Sequence, residues 1–198
     1  MINKKYVITL GTLMLLGISY VGAQAGLPFL NHSVSMANAA AADYYLEIEG
    51  IDGESTDQGH QGEIELNSWS WGESQVSTRG GGGGGAGKVS MQDFHFTMDT
   101  SKASPKLMLA VATGEHFKKA TLVARKMEND RPQEYLVITL TDVMVSSYQI
   151  AGDGTGIVPT DQISLNFSKI EFEYKSQNPD GSAESVKTGW DLGKNKKI

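Results

Sequence analysis

A chain of 198 residues with 39% hydrophobic residues, 20% charged residues and a net charge of −6 is sized for one globular domain with an appendage. Neither that acidity nor the charge pattern suggests a nucleic-acid binder, which needs a basic face. With no cysteine, a disulfide framework, a thiol nucleophile and a cysteine-ligated metal are excluded as well.

The first stretch has the pattern of an address rather than of a fold. Lys4 and Lys5 are followed by no charged residue until Asp43. Tyr6 to Val21 is apolar, and Ala23-Gln24-Ala25 is a small-x-small site. Together these predict a secretory signal peptide, with a second cut at Ala37-Asn38-Ala39 and an uncleaved signal anchor as the competing reading. Residues 26–42 show no periodicity and read as a flexible leader. Without Lys4 and Lys5 the net charge falls from −6 to −8. The remaining domain, 43–198, is long enough for one core and contains no stretch that predicts a stable membrane span.

Tyr44 to Ile51 alternates apolar and polar side chains, a half-buried strand, and Asp52 to Asp57 then reads as a solvated acidic turn. In the strand that begins at Glu63, Ile64 and Leu66 share one face while Trp69 and Trp71 fall on the other, which predicts a bulge or bend near Asn67-Ser68. The two tryptophans form an apolar anchor. Beyond Gly72 a polar arm ends in Gly80, Gly81, Gly82, Gly83, Gly84 and Gly85, then Ala86-Gly87-Lys88. Glycines have nothing to pack and the highest ordering cost, so this arm is either a linker or a segment that gains order on a partner.

Strand character resumes over Val89 to Met98, with Phe94, Phe96 and Met98 on one face. Ser104 is the expected N-cap and Pro105 the first position of a short helix, with Leu107, Leu109, Ala110 and Val111 on its apolar side and Gly114 as its stop. Further strands are expected over Phe117 to Met127, over Glu134 to Ile150 (apolar on both faces in its middle), and over Gln162 to Tyr174. In the last, Ile163, Leu165 and Phe167 hand over to Ile170, Phe172 and Tyr174 on the opposite phase, predicting another bulge. Turns at Gly152 to Gly156 and Asn178 to Gly181 separate these from a final strand, Ala183 to Asp191, with Trp190. Lys194, Lys196 and Lys197 close the chain. The sum is a mostly β domain of at least seven strands and one helix. Nothing beyond the arm can fold alone, so the linker reading loses and the arm is an excursion between strands of one domain.

No motif carries catalysis. Gly82 to Val89 approaches a phosphate-binding loop but ends in Val89 where a hydroxyl must hold the metal, and it leads into a strand rather than a helix. The acidic loop has Asp57 where an EF-hand requires glycine. His32, His60, His95 and His116 lack metal-ligand spacing. The expectation is a non-enzyme without cofactor or metal.

With strands and arm placed, the chain resembles the Hcp family (haemolysin-coregulated protein), the tube subunit of bacterial type VI secretion systems. The likeness runs over most of Ala42 to Asn195. It rests on Tyr45-Leu46-Glu47-Ile48-Glu49-Gly50-Ile51, Gly53-Glu54-Ser55, His60, Glu63-Ile64-Glu65, Ser68-Trp69-Ser70-Trp71-Gly72 and Gly85-Ala86-Gly87-Lys88. Further along, Lys102-Ala103-Ser104-Pro105-Lys106-Leu107, Arg125-Lys126, Glu134-Tyr135-Leu136, Asp142-Val143 and Trp190-Asp191 continue it. The resemblance implies a closed β-barrel-like domain of two sheets with one helix and a long Gly-rich loop. It also implies hexameric rings stacked into a hollow tube, partnered by sheath and spike proteins, with effectors in the lumen and secretion from the cell. On that picture Trp69, Trp71, Gly72, Gly80 to Gly85, Lys88, Ser104 and Pro105 belong to the contact between subunits or rings. Members of the family normally carry no export signal, so the leader leaves three explanations: a misassigned start, a Sec-exported paralogue that builds rings or filaments or binds outside, or a secreted carrier or adhesion protein.

Overall fold

Apolar side chains at two-residue spacing drive most of this chain into strands. The computed structural model describes residues 42–75, 89–128, 131–152, 154, 156–177 and 182–198; the leader, Gly80 to Gly85 and Lys88 lie outside the described residues. All described residues belong to one compact unit, Asn38–Ile198. Its elements are β1 (Asp43–Ile48), β2 (Ile64–Glu65), β3 (Ser68–Ser70), β4 (Glu73–Gln75), β5 (Val89–Met91), β6 (Phe94–Asp99), α1 (Ser104–Thr113), β7 (His116–Glu128), β8 (Arg131–Ala151), β9 (Thr160–Gln177), β10 (Ala183–Asp191) and β11 (Lys196–Lys197).

The longest ladders run through β9. One of its edges carries β8 from Thr160 to Tyr174, while β6 takes the first half of the other edge and β10 the second. Among the described residues, nine antiparallel strands make one sheet in the order β11-β10-β9-β8-β7-β1-β2, with β6 on β9 and β3 on β6. A separate ribbon joins β4 to β5.

The expected mostly β, barrel-like domain of two sheets with one short helix is what the described residues form, except that the large sheet is not closed by a continuous ladder. The sheet curls until its ends meet through one segment, without an unbroken ladder. The Leu66 N–H donates to Tyr44 O of β1 (2.9 Å) and the next amide, Asn67 N–H, donates to Thr97 O of β6 (2.8 Å). The chain thus leaves one partner and joins the other at the bend predicted from the phase switch, with Ile64 and Leu66 buried before it and Trp69 and Trp71 half-buried after it.

Other expectations shift for local reasons. Val89 to Met98 is two strands, because Gln92 N–H bonds Gly72 O and the Asp93 carboxylate accepts from Asn166 and Ser146. Ser104 is the first helical residue and Ala103 the N-cap, with no side-chain cap. Gly114 ends the helix in the left-handed region at φ 66° and its N–H donates to Ala110 O. Only Leu107 and Ala110 of the apolar side are buried; Leu109 and Val111 are exposed, since a ten-residue helix covers the sheet with a narrow stripe.

The bulge expected in β9 is instead a shared bend. Phe117, Val143 and Phe167 form one buried row and Ala120, Leu140 and Ile170 another, and all three strands change face between them with no register shift. Asp142 sits in that bend at φ 55°, a region aspartate tolerates better than most residues. Its carboxylate accepts from Ser168 Oγ at 2.5 Å and lies 2.9 Å from His116 Nδ1. True register shifts occur between Ala124 and Arg125 in the β7–β8 pair and between Val145 and Ser147 in the β8–β9 pair.

Candidate subunit interface

Of the residues expected at a subunit contact, five are described. Trp69 is half-buried against the core: its ring stacks on Phe94 (centroids 5.8 Å, planes 10° apart) and meets Tyr44 edge-on at 6.2 Å. Trp71, two residues on, lines a groove of about 640 Å³ with Met91, Ile170, Phe172 and Trp190. The indole N–H groups of Trp71 and Trp190 are both buried with no acceptor among the described residues. Gly72 fixes the base of the β4–β5 ribbon by accepting the Gln92 N–H, so the ribbon from which the arm departs is held by ladder bonds on one wall of this groove.

Ser104 and Pro105 part company. The Ser104 hydroxyl is buried and donates to Asp161 Oδ2 at 2.5 Å, while Thr100 Oγ1 donates to Oδ1 of the same carboxylate at 2.8 Å. Asp161 is fully buried, so these bonds satisfy a carboxylate that has no water. Pro105 beside it is exposed. The structure therefore uses Ser104 to lock helix to sheet and leaves only Pro105 available to a neighbour.

A second constellation, not foreseen as a unit, fastens the loop between β1 and β2. Arg125 in β7 bonds Asp57 (2.8 Å), Asp43 (3.1 Å) and the Tyr45 hydroxyl (2.7 Å), and its guanidinium lies 4.9 Å from the Tyr45 ring centre. His60 also stacks on Tyr45, its ring 4.2 Å away and 5° from parallel, with Nδ1 3.1 Å from Glu63 and Nε2 3.8 Å from Glu134. The Arg125 hydrogen bond, helped by the Gly59 N–H, lowers the Asp57 carboxyl to about 2. The same bond to Asp57 raises Arg125 above its ordinary value. Burial raises Glu63, partly countered by His60. The acidic loop is thus a built element and not a solvated turn. Backbone fit adds to it: a Cβ on Gly53 would stand 2.1 Å from Glu63 O, so only glycine passes there. The spacing Asp57-x-x-His60-x-x-Glu63 was the available signal, but only the fold shows that Arg125 meets it.

The outer face of β3, β6 and β9 carries a recess of about 480 Å³ whose floor includes the exposed Ser68, Ser70, His95 and Gln162 and the half-buried Thr97. His95 Nδ1 lies 2.7 Å from Ser164 Oγ, which also receives Ser147 Oγ at 2.7 Å. This surface can exchange hydrogen bonds but brings no carboxylate to orient the imidazole. Among the described residues no three His, Asp or Glu side chains converge as metal ligands, and no helix is long and apolar enough to cross a membrane.

The chain matches the family described as "Type VI secretion system effector, Hcp" over residues 45–174. It is 42% identical over 158 residues to protein hcp1 of Pseudomonas aeruginosa, covering 78% of this chain and 98% of that one. The crystal structure of Hcp1 from Salmonella typhimurium is similar with a TM-score of 0.67 at 38% identity, over 80% of this chain and 99% of the other. A structure described as a type six secretion system protein gives 0.73 at 31% identity, over 80% and 100%.

Proposed function

The chain belongs to the Hcp family of type VI secretion systems, and from that premise we propose how its geometry serves such a system. It is a structural tube subunit. We infer that copies close into hexameric rings, that rings stack into a hollow tube, and that sheath and spike proteins and effector cargo are its partners. The observation that carries the reading is the agreement of the β-rich fold with the solved structures of Salmonella typhimurium Hcp1 and of a type six secretion system protein across nearly their whole length. The role is assembly, and no reaction is assigned to it.

Native mass measurement and negative-stain imaging of the full chain test this. Annular six-fold particles are expected. A solitary protomer at high concentration overturns the reading. Residues 1–42 are assigned to a leader and 43–198 to the Hcp-like domain. Lys4-Lys5, the apolar stretch and Ala23-Gln24-Ala25 favour a second reading, a Sec-exported member acting outside as a binding or filament-forming module. Mass spectrometry of the N-terminus in the source cell separates the two, since an unprocessed start, a cut after Ala25 and initiation near Met36 differ in mass.

A further inference from the structure

Side chains tie the loop between β1 and β2 to β7 and to β8, and the two ties differ in kind. Arg125 of β7 holds Asp57 with a guanidinium that keeps its charge at any pH a folded protein meets. The tie to β8 runs through His60, whose charge is conditional. The His60 side chain is 6% exposed, and both of its ring nitrogens face carboxylates. Nδ1 lies 3.1 Å from Glu63 Oε2 within the loop, and Nε2 lies 3.8 Å from Glu134 Oε1 in β8. The stack on Tyr45 of β1 sets the plane of the ring, and the His60 N–H bond to Asp57 O (3.3 Å) sets the backbone that carries it.

An imidazole with one proton donates to one of these carboxylates and turns a lone pair on the other, whereas the imidazolium donates to both. The other charges around the ring do not replace the second proton. Arg125, 4.9 Å from the Tyr45 ring centre, is engaged by Asp57 and Asp43. Lys175 of β9 holds Glu134 by its other oxygen, Oε2, at 3.1 Å and leaves Oε1 to His60. Glu47 of β1 adds to the negative field at Glu63 instead of offsetting it. The contact between loop and β8 therefore stands or falls with the second proton on His60.

We propose that His60 is a proton-operated clasp. While the imidazole carries both protons it joins the loop 52–63 to Glu134 of β8; as it loses one, the loop is released from β8 and Arg125 keeps it on β7. Protonation is thereby converted into a local change of order between a doubly and a singly held loop, and the sheet itself stays folded. The device goes beyond the tube reading and does not depend on it, because one protomer contains every group involved.

The test is deuterium exchange of the full chain from about pH 5 to about pH 9, the range that brackets histidine ionisation, read by mass spectrometry in two ways. Exchange at the imidazole C2–H gives the ionisation curve of His60 itself. Amide exchange over 52–63, corrected for its intrinsic rate, gives the opening of the loop. Loop protection is expected to fall about three- to fivefold as pH rises, the scale of a partly exposed ion pair, with its midpoint on the His60 curve. Glu134→Gln, at a side chain 44% exposed, should cut that step to less than about half, and His60→Phe, which keeps an aromatic ring on Tyr45, should abolish it. The amides of Leu122 and Ile138 should be unchanged in both. A parent without the step, a step that does not follow the His60 curve, or one undiminished in Glu134→Gln overturns the proposal. So does a step that moves with protein concentration, since neighbouring copies would then set it. If His60→Phe does not fold, Glu134→Gln decides alone.

Discussion

Arg125 is where a single side chain holds most. Its side chain is 13% exposed, and it bonds two carboxylates and a phenol from separate segments. Arg125→Ala would leave Asp57 and Asp43 without their cation. Removing one partner of a buried pair costs about 3–5 kcal/mol, and the partial exposure of the aspartates reduces this to about 2–3 kcal/mol. A denaturant titration of the variant checks it; an unchanged midpoint would show that the loop is held by its backbone alone.

Acid should act through the same cluster. The Asp57 carboxyl is depressed in the folded state, so its contribution is complete above its ordinary range near pH 4 and is lost as pH falls through about 2. Glu63 acts in the opposite sense, because burial raises it and the folded chain takes up its proton first. The expected profile is little loss of stability above pH 4 and a steep loss below, flattened in Arg125→Ala. A parent profile that falls steeply at pH 5 to 6 would contradict this assignment.

At the scale of elements, the β4–β5 ribbon and its arm carry the clearest prediction. Replacing Gly80 to Gly85 with a two-residue turn removes no side chain from the core, and the ladder from Glu73 to Met91 still closes. The domain should therefore keep its thermal midpoint while assembly is impaired, read by melting and by electron microscopy side by side. Long tubes from the shortened chain would remove the arm from the contact.

Elements were legible where side-chain period alone decides. Phe94, Phe96 and Met98 lie buried as their spacing indicated, Gly114 stops the helix, and the phase switch at Asn67-Ser68 marks a real bend. What stayed hidden depends on partners distant in sequence. Ser104 looks like a cap until Asp161, from β9, claims its hydroxyl. The acidic loop looks solvated until Arg125 arrives from β7. The β9 phase change looks like a local bulge until β7 and β8 are seen to turn with it. The packing of Trp69 on the core was readable from its spacing, whereas the burial of Ser104 follows only from its bond to Asp161.

For the whole molecule, the change of partner between Leu66 and Asn67 has a kinetic meaning. Tyr44 and Thr97 must both be in place before the segment between them can be pinned. Such non-local closure comes late in folding and opens early in native-state fluctuations. In deuterium labelling, the amides of Leu66 and Asn67 should exchange together and well before those of Leu122 and Ile138, in the middle of the longest ladders. Equal protection at all four would mean that the sheet opens only as a unit. With the expected order, this short segment is the latch by which the curled sheet breathes, and labelling before and after self-association reads directly whether neighbours hold it shut.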